Sequence, residues 1–391
     1  MRPALIIAGG GSGGHVFPAV AVAEAIEELA DVDVVFCGTS RGLEARVVPA
    51  RGWVLERLDV RPLRGGGTRH VVAGALAAIG ATLSAFSLVR RVRPRAVLSV
   101  GGYAAGPVSL AAALMGVPLA LLEPNSTVGL TNRLLAPIAV RAYIAWEEAA
   151  PAFRPSALRR HGVPLRATFA AGAPPEPRSM ARVLVLGGSQ GAAALNERMP
   201  RALALVSSSG RVFDIVHQTG RERDGAVRDA YAREGLAAAV VPFIDDVAAA
   251  VTDADVVVAR AGAVTIAELA VIGRACVLVP FPHAADDHQA RNAEALDRRG
   301  AAVCLRQEVA DPPALAAAIE RLLVDAGERA AMSTALRSCA RPDAARDIAT
   351  DLLALAGLAA RPGPGASDPA RPSRVPARAL TPAGAAASRR A

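Results

Sequence analysis

The residues with the most evident chemistry lie in a short loop near the start of the chain. Five of the six residues 9–14 are glycine, and His15 follows them directly. Glycine allows backbone angles and close approaches that a side chain would block. Pro18 suits the first turn of the helix predicted next, whose open N–H groups would face the loop and could bind a phosphate or sugar oxygen. We interpret the loop as a cradle for a donor or an acceptor, with a titratable imidazole on its rim.

The glycine spacing also fits a different class of protein. Three of the glycines satisfy the G-x-G-x-x-G pattern of dinucleotide-binding folds, which requires an acidic residue about 20 residues further on, at the end of the second strand. That strand is predicted over residues 32–37 and is followed by Gly-Thr, while its acidic residue, Asp33, lies at its start. The pattern therefore argues against an oxidoreductase, which would also have no evident use for His15.

Short runs of Val, Ile, Leu and Ala alternate with helix-like segments along most of the chain, which is typical of parallel sheets covered on both faces. The predicted strands cover residues 5–8, 32–37, 54–58, 96–100, 119–122 and 142–144, then 182–186, 213–217, 238–242, 255–259, 275–280 and 301–305. Residues 182–192 repeat the opening order of strand, glycine loop and helix. The sequence thus predicts an α/β protein with two Rossmann-like halves facing across a cleft.

Composition sets the expected domain boundaries. We expect a first domain over residues 1–164, a linker without a periodic pattern of apolar residues over 165–180, and a second domain over 181–340. A last helix, predicted over 344–358 within the segment 341–360, is expected to cross back onto the first domain. Pro, Ala, Gly, Ser and Arg dominate residues 361–391 and cannot build a core, so we expect that tail to be disordered.

The formal charge of +8 first suggests an anionic partner. Six arginines and one acidic residue follow residue 360, so most of the charge lies in the expected tail, and nucleic acid is not an expected partner. An anionic bilayer remains an alternative partner, because local basic patches matter more for lipid binding than the total net charge. The four cysteines are widely spaced and mostly in apolar patterns, which indicates a reducing compartment. The chain enters its first strand within a few residues, so we expect no signal peptide.

One uncharged stretch, residues 71–89, is long enough to span a membrane. A spanning helix would need apolar bulk on all sides, whereas the large apolar side chains here form one stripe. The stripe consists of Val72, Leu76, Ile79, Leu83 and Phe86. There are two other interpretations: a helix packed on the sheet, or a helix partly exposed for docking to a bilayer. Arginines on both sides of the stretch are consistent with docking.

Six motifs in unbroken order resemble the MurG-type transferases of bacterial cell-wall synthesis. They are Gly10-Gly11-Ser12-Gly13-Gly14-His15-Val16-Phe17-Pro18; Gly101-Gly102-Tyr103; Glu123-Pro124-Asn125 with Gly129-Leu130-Thr131-Asn132-Arg133; Gly187-Gly188-Ser189-Gln190-Gly191; Phe243-Ile244-Asp245-Asp246; and Arg260-Ala261-Gly262-Ala263 to Glu268. The resemblance covers about residues 5–358. It implies the two-domain GT-B fold and transfer of N-acetylglucosamine from UDP-N-acetylglucosamine to undecaprenyl-linked lipid I, giving lipid II.

The resemblance also assigns residues by position. The second domain would hold the UDP-sugar, and the first would hold the lipid acceptor at the cytoplasmic face of the cell membrane. Glu268 would bind the ribose hydroxyls, although a solvated helix glutamate is the alternative, and Ile244 would contact the uracil through its backbone. The remaining expected substrate-binding residues are Ser12, Gly13, Gly14, Tyr103, Asn125, Arg166, Ser189, Ala263, Val264, Thr265, Ile266, Ala267 and Gln289. Arg166 and Ser189 would meet the diphosphate, Asn125 and Gln289 the sugar, and Asp245 and Asp246 are more readily helix caps.

The implied reaction is an inverting displacement, in which the C4 hydroxyl of the muramoyl sugar attacks the anomeric carbon while UDP leaves. His15 is the expected catalytic base, because a helix N-terminus lowers the pKa of an imidazole and keeps it neutral; a structural role in the loop is the alternative. No cofactor and no metal ion are expected. The candidate metal ligands are a His/Asp cluster at 283–288 and acidic pairs at 31/33 and 253/255, but both pairs begin strands rather than end them. Helix dipoles and Arg166 can carry the leaving-group charge in place of a metal ion.

Two other functions stay in competition. One is a GT-B transferase acting on a soluble acceptor such as a macrolide or flavonoid, against which the apolar stripe of residues 71–89 argues. The other is a nucleotide-sugar binding or epimerising protein that uses no glycosyl acceptor.

Overall fold

The computed structural model of the chain describes residues 2–40, 42–58, 68–170, 180–188 and 191–361. Its first part consists of β1 (Ala4–Ala8), α1 (Gly13–Leu29), β2 (Asp33–Gly38), α2 (Glu44–Val47), β3 (Val54–Arg57), α3 (Thr68–Val92), β4 (Ala96–Ser99), α4 (Ala105–Leu114), β5 (Leu119–Glu123), α5 (Leu130–Leu135), β6 (Arg141–Ile144) and β7 (Leu158–Arg159). Over the described residues these strands form a parallel sheet of seven in the order β3-β2-β1-β4-β5-β6-β7. We call these elements the first lobe.

A short helix, α6 (Ala167–Ala170), precedes the second part. That part consists of β8 (Ala181–Leu186), α7 (Ala193–Ser208), β9 (Phe213–Gln218), α8 (Asp224–Arg233), β10 (Ala239–Val241), α9 (Val247–Thr252), β11 (Val256–Ala259), α10 (Ala263–Ile272), β12 (Ala275–Leu278), α11 (His288–Asp297), β13 (Val303–Cys304), α12 (Pro312–Val324) and α13 (Ala326–Ser338). Within the described chain, six parallel strands follow the order β10-β9-β8-β11-β12-β13. We call these elements the second lobe, and the two Rossmann-like sheets confirm the predicted fold class.

The first helix begins earlier than predicted. Pro18 lies inside α1, in its second turn, and Ser12 is the N-cap with extended backbone angles. The prediction was wrong because proline fits helical φ values and forfeits only one bond, the one its missing N–H would have made to the preceding turn. As a consequence, Gly13, Gly14 and His15 form the first turn of α1 rather than the loop before it.

The chain returns to the first lobe at its last helix, α14 (Ala344–Leu355), as predicted. Its buried face packs in the same apolar cluster as Val20, Ala23 and Ile26 of α1; the residues of that face are Ile348, Ala349, Leu352 and Leu353. Asp351 on α14 accepts a hydrogen bond of 2.8 Å from the Tyr143 hydroxyl. Both apolar packing and a side-chain hydrogen bond therefore hold α14 on the first lobe.

The segment expected to be a linker is partly structured. Leu165 and Phe169 are buried in the same apolar cluster as strands of the second lobe, which places residues 165–170 on that lobe. Residues 171–179, and the expected tail from residue 362 onward, lie outside the described residues. The exact domain boundaries therefore stay predictions.

Candidate active site

Two glycine turns lie side by side where the strand order of the first sheet reverses. Gly9 follows β1 and Gly101 follows β4; a Cβ on Gly9 would lie 2.3 Å from Cγ2 of Val100, and one on Gly102 would lie 2.9 Å from the Gly10 carbonyl oxygen. Only glycine allows the two turns to approach this closely. Ligands of parallel α/β sheets bind at this reversal point, beyond the carboxyl ends of the strands.

His15 stands at this point, half-buried in the first turn of α1. Its Nδ1 lies 3.3 Å from Oγ of Ser12, and its Nε2 edge faces Gly101, where an added Cβ would be 3.3 Å away. Burial lowers the pKa of His15 and the facing imidazole of His288 lowers it further, while the carboxylate of Glu44 opposes both. The imidazole is therefore neutral at pH 7 and able to accept a proton.

A buried carboxylate shapes the loop that carries Asn125. Glu123 accepts hydrogen bonds of 3.2 Å from both the backbone and the side-chain nitrogen of Asn125, one of 2.9 Å from the N–H of Gly129 and one of 3.1 Å from Nδ2 of Asn132. Burial raises the pKa of Glu123, and these hydrogen bonds oppose that effect. Sequence reasoning assigned no role to Glu123 or Asn132, although both lie in the motifs that carried the resemblance.

The two lobes meet at Arg166. Its Nη2 lies 3.7 Å from Oε1 of Glu268 on α10, and its guanidinium stacks 5.2 Å from the ring centre of Phe17 on α1 and 5.4 Å from that of Phe169. Burial raises the pKa of Glu268 to about 7, against the opposing charge of Arg166. Because Phe17 lies on α1, which also carries His15 in its first turn, the pair formed by Arg166 and the predicted ribose-binding carboxyl contacts the helix that follows the first glycine turn.

The α11 helix supplies the next contacts between the lobes. Oε1 of Gln289 accepts a hydrogen bond of 3.0 Å from the Phe281 N–H, which leaves its amide nitrogen as the group that can donate. Asn292 is fully buried, and its Oδ1 accepts from the N–H of Ser126 at 3.2 Å. Asn292 thereby joins the helix that carries Gln289 to the loop that carries Asn125, although sequence reasoning did not select it.

The described residues of the second glycine turn, Gly187 and Gly191, lie against the carboxyl end of β9. A Cβ on Gly191 would lie 2.1 Å from the Thr219 carbonyl oxygen, and Asn196 donates to that same oxygen at 3.0 Å. Nε2 of His217 lies 3.1 Å from Oδ1 of Asn196, and burial lowers the pKa of His217 to about 3. Ser189, expected to bind the diphosphate, lies outside the described residues, so its role stays a prediction.

The other predicted site residues divide by exposure. Ser12, Gly14 and Tyr103 are exposed on the first lobe, whereas Gly13, Ile244, Val264, Thr265 and Ala267 are half-buried. Ala263 and Ile266 are buried in the core of the second lobe, so the predicted contact of Ala263 with a ligand would have to use its backbone at the start of α10. Asp246 caps α9 by accepting from the Ala249 N–H at 2.9 Å, which confirms its predicted role.

The loop cluster at 283–288 is already engaged in part. Oδ2 of Asp287 pairs with Arg306 at 3.3 Å. Among the residues that the structure describes, no three His, Cys, Asp or Glu side chains are grouped so that they could hold a metal ion.

Two Rossmann-like lobes in one chain are the architecture of the GT-B class of nucleotide-sugar glycosyltransferases. The N-terminal domain of glycosyltransferase family 28 matches residues 5–144, and its C-terminal domain matches residues 182–348. The chain belongs to glycosyltransferase family 28.

Relatives named UDP-N-acetylglucosamine--N-acetylmuramyl-(pentapeptide) pyrophosphoryl-undecaprenol N-acetylglucosamine transferase are similar over nearly the whole chain. The protein of Sorangium cellulosum (strain So ce56) is 54% identical over 358 residues, 90% of this chain and 88% of that protein. The protein of Acidithiobacillus ferrooxidans (strain ATCC 53993 / BNL-5-31) is 43% identical over 362 residues, 91% and 99% of the two chains. The crystal structure of Acinetobacter baumannii MurG is 31% identical with a TM-score of 0.77, covering 90% of this chain and 100% of that one. The glycosyltransferase of kitacinnamycin, at 18% identity and a TM-score of 0.65, shares the fold alone.

Proposed function

We propose that this protein transfers N-acetylglucosamine from UDP-N-acetylglucosamine to the C4 hydroxyl of the N-acetylmuramoyl sugar in lipid I, with inversion, to give lipid II for peptidoglycan synthesis. The observation that carries the proposal is the contact of the Arg166–Glu268 pair with Phe17 of α1, the helix of the first lobe whose first turn carries the neutral imidazole of His15. A donor held by one lobe would thus be presented to an alcohol held by the other.

The donor is held by the second lobe in this proposal. Glu268 accepts hydrogen bonds from the ribose hydroxyls, and the backbone at Ile244 contacts the uracil. The N–H groups at the starts of α7 and α10, with Ser189 and Arg166, bind the diphosphate. Gln289 donates its amide to hydroxyls of the transferred sugar, and Asn125 approaches that sugar from the first lobe.

The chemical step needs a proton acceptor and a stabilised leaving group. His15 takes the proton of the acceptor hydroxyl as its oxygen forms a bond to the anomeric carbon, and the bond from that carbon to the UDP oxygen breaks with its electron pair on UDP. The leaving diphosphate gains negative charge, which Arg166 and the helix N-termini stabilise. The imidazolium then loses its proton to solvent.

The acceptor places the protein at the cytoplasmic face of the membrane in this proposal. None of the helices in the described parts of the chain is both long and apolar enough to cross a bilayer. Helices α3 and α4 pack together, and large apolar side chains on them and at the end of α4 face solvent: Leu83, Leu110, Leu114 and the C-cap residue Met115. Arg90 and Arg91 lie in the last turn of α3, which supports docking to anionic lipid headgroups.

The direct test is an assay with purified protein, radiolabelled UDP-N-acetylglucosamine and a lipid I analogue in detergent. We expect label in the lipid product together with an equal amount of released UDP. Label transferred only to a soluble acceptor, or a UDP-sugar converted without any acceptor, would replace this function with one of the two competing ones.

A further inference from the structure

A second buried carboxylate lies under the first glycine loop. Glu44, the first residue of α2, has 1% of its surface exposed. Its Oε2 accepts a hydrogen bond of 2.8 Å from the Gly11 N–H, and its Oε1 accepts bonds of 2.9 and 2.8 Å from the backbone nitrogen and the hydroxyl of Thr39. The carboxylate therefore ties the loop after β1 to the turn after β2.

Three glycines leave just enough room for this carboxylate. A Cβ on Gly10 would lie 2.3 Å from Oε1 of Glu44, one on Gly38 2.7 Å from its Cγ, and one on Gly42 2.0 Å from its Oε2. These glycines are thus explained by a side chain of the protein itself, rather than by close approach of a ligand.

Two hydrogen bonds, one to its N–H and one to its carbonyl, hold Gly11, the residue before the N-cap Ser12. While Glu44 binds the N–H of Gly11, the Leu43 N–H donates to the Gly11 carbonyl at 3.3 Å. Ser12 follows, and the N–H of His15 donates to the Ser12 carbonyl at 3.1 Å. The position of the catalytic imidazole therefore depends on where α2 fixes Gly11.

We propose that Glu44 is a positioning residue for the transfer reaction, which fixes the first glycine loop and holds His15 in place while its negative charge stabilises the imidazolium formed during proton transfer. The inference rests on the proposed function. Glu44 contacts no substrate in this role and acts through the loop and through its field.

Electrostatics agrees with the geometry. Among the residues that the structure describes, the charged or titratable groups that act on His15 are Glu44 on α2 and His288 on α11, and they act in opposite directions on the pKa of His15. Removing the charge of Glu44 leaves the effects of burial and of His288 unopposed, so the pKa of His15 falls further.

The test is Glu44→Gln in the full chain, assayed for lipid II formation across pH. The amide keeps the volume but turns one acceptor into a donor, which must then face the N–H of Gly11 or Thr39. We expect kcat to fall by about tenfold or more, since a misplacement of about 1 Å can cost on the order of a hundredfold. The acid limb of the kcat profile should move to lower pH by about half a unit or more. UDP affinity should not change, because the donor binds the second lobe.

Two variants separate positioning from charge and from general destabilisation. Thr39→Val removes one bond to the same carboxylate and keeps its charge, so kcat should fall while the acid limb stays at the wild-type pH. Glu147→Gln removes the exposed partner of Arg160 and should leave both quantities unchanged.

The possible outcomes are distinct. Wild-type kcat and an unmoved acid limb in Glu44→Gln would overturn the inference and leave the proposed function intact. If Glu44→Gln does not fold, Thr39→Val decides, and wild-type kcat in that variant would overturn the positioning role. Inactive wild-type protein would instead remove the proposed function itself.

Discussion

At the scale of single residues, burial sets the charge of two of the expected site residues. It lowers the pKa of His15 and raises that of Glu268 to about 7, so the same physical cause keeps an imidazole neutral and a carboxyl partly protonated. His15 is therefore ready to accept a proton without a partner that deprotonates it. In the proposed donor complex, Glu268 must be ionised in order to accept hydrogen bonds from both hydroxyls of the ribose.

Donor binding should consequently depend on pH. Ionised Glu268 is the form that accepts two hydroxyl hydrogen bonds, so UDP affinity should fall as the pH drops below about 7 and binding should release protons there. Calorimetry in two buffers of different ionisation enthalpy measures the proton release. Glu268→Gln should bind UDP more weakly and without pH dependence; a pH-dependent Kd in that variant would assign the titration to another group.

His15 should matter to catalysis much more than to binding. His15→Gln should lower kcat by about a hundredfold or more, in the range of general-base contributions, and should leave the Kd of UDP within about twofold. Single-turnover rates and UDP titrations measure the two effects. A kcat close to wild type would leave His15 only a structural part in the loop.

Part of this candidate site could be predicted from residue types in the sequence. The contacts between distant residues could not. Glycines beside a histidine are visible in a sequence, because each has a local reason to be there. Glu44, Glu123 and Asn292 are ordinary surface types whose role comes from full burial among backbone donors. The nearness of Arg166 to both Phe17 and Glu268 depends on how three segments fold together, which no local pattern encodes.

At the scale of elements, α14 completes the first lobe. Leu352 has no exposed surface and lies in the cluster formed by α1 and the first sheet. Sequence periodicity was sufficient to predict this helix, because its apolar face repeats at helical spacing. The same reasoning misplaced the start of α1, because glycine and proline, which disfavour helices, occupy its first two turns and the fold stabilises the helix there.

Removing the Leu352 side chain should weaken the whole first lobe. Leu352→Ala should lower the free energy of unfolding by about 3 kcal/mol, through lost burial and the cavity that remains. Urea denaturation followed by circular dichroism measures the change. Ala354→Ser, at an exposed position of the same helix, is the matched control and should have little effect. A similarly small change for Leu352→Ala would mean that α14 contributes little to the stability of the lobe.

At the scale of the whole molecule, both sheets repeat one plan, and the proposed reaction takes place between the two lobes. Repetition of strand, glycine loop and helix was visible in the sequence, so the two lobes were predictable. Their mutual contact was not, because the Ser126 to Asn292 hydrogen bond joins residues that are 166 positions apart.

The outer surface of the first lobe gives a prediction about membranes. Leu83→Glu combined with Leu114→Glu should reduce sedimentation with anionic phospholipid vesicles by about fivefold or more, because both side chains face solvent and charges would oppose their insertion. The control places glutamates at Val212 and Val324, exposed residues of the second lobe, and should sediment as wild type does. Equal sedimentation of both double variants would move the docking surface elsewhere.

The return of α14 to the first lobe also bears on synthesis. Residues 344–355 cover a face of the first lobe, which is synthesised before the second lobe. That apolar face of the nascent first lobe therefore stays uncovered until the second lobe and α14 have emerged from the ribosome. Chaperones that shield exposed apolar surface would have their longest opportunity during this interval. Ribosome-bound chains stopped before residue 344 should therefore be more sensitive to protease in the first lobe than chains released at full length.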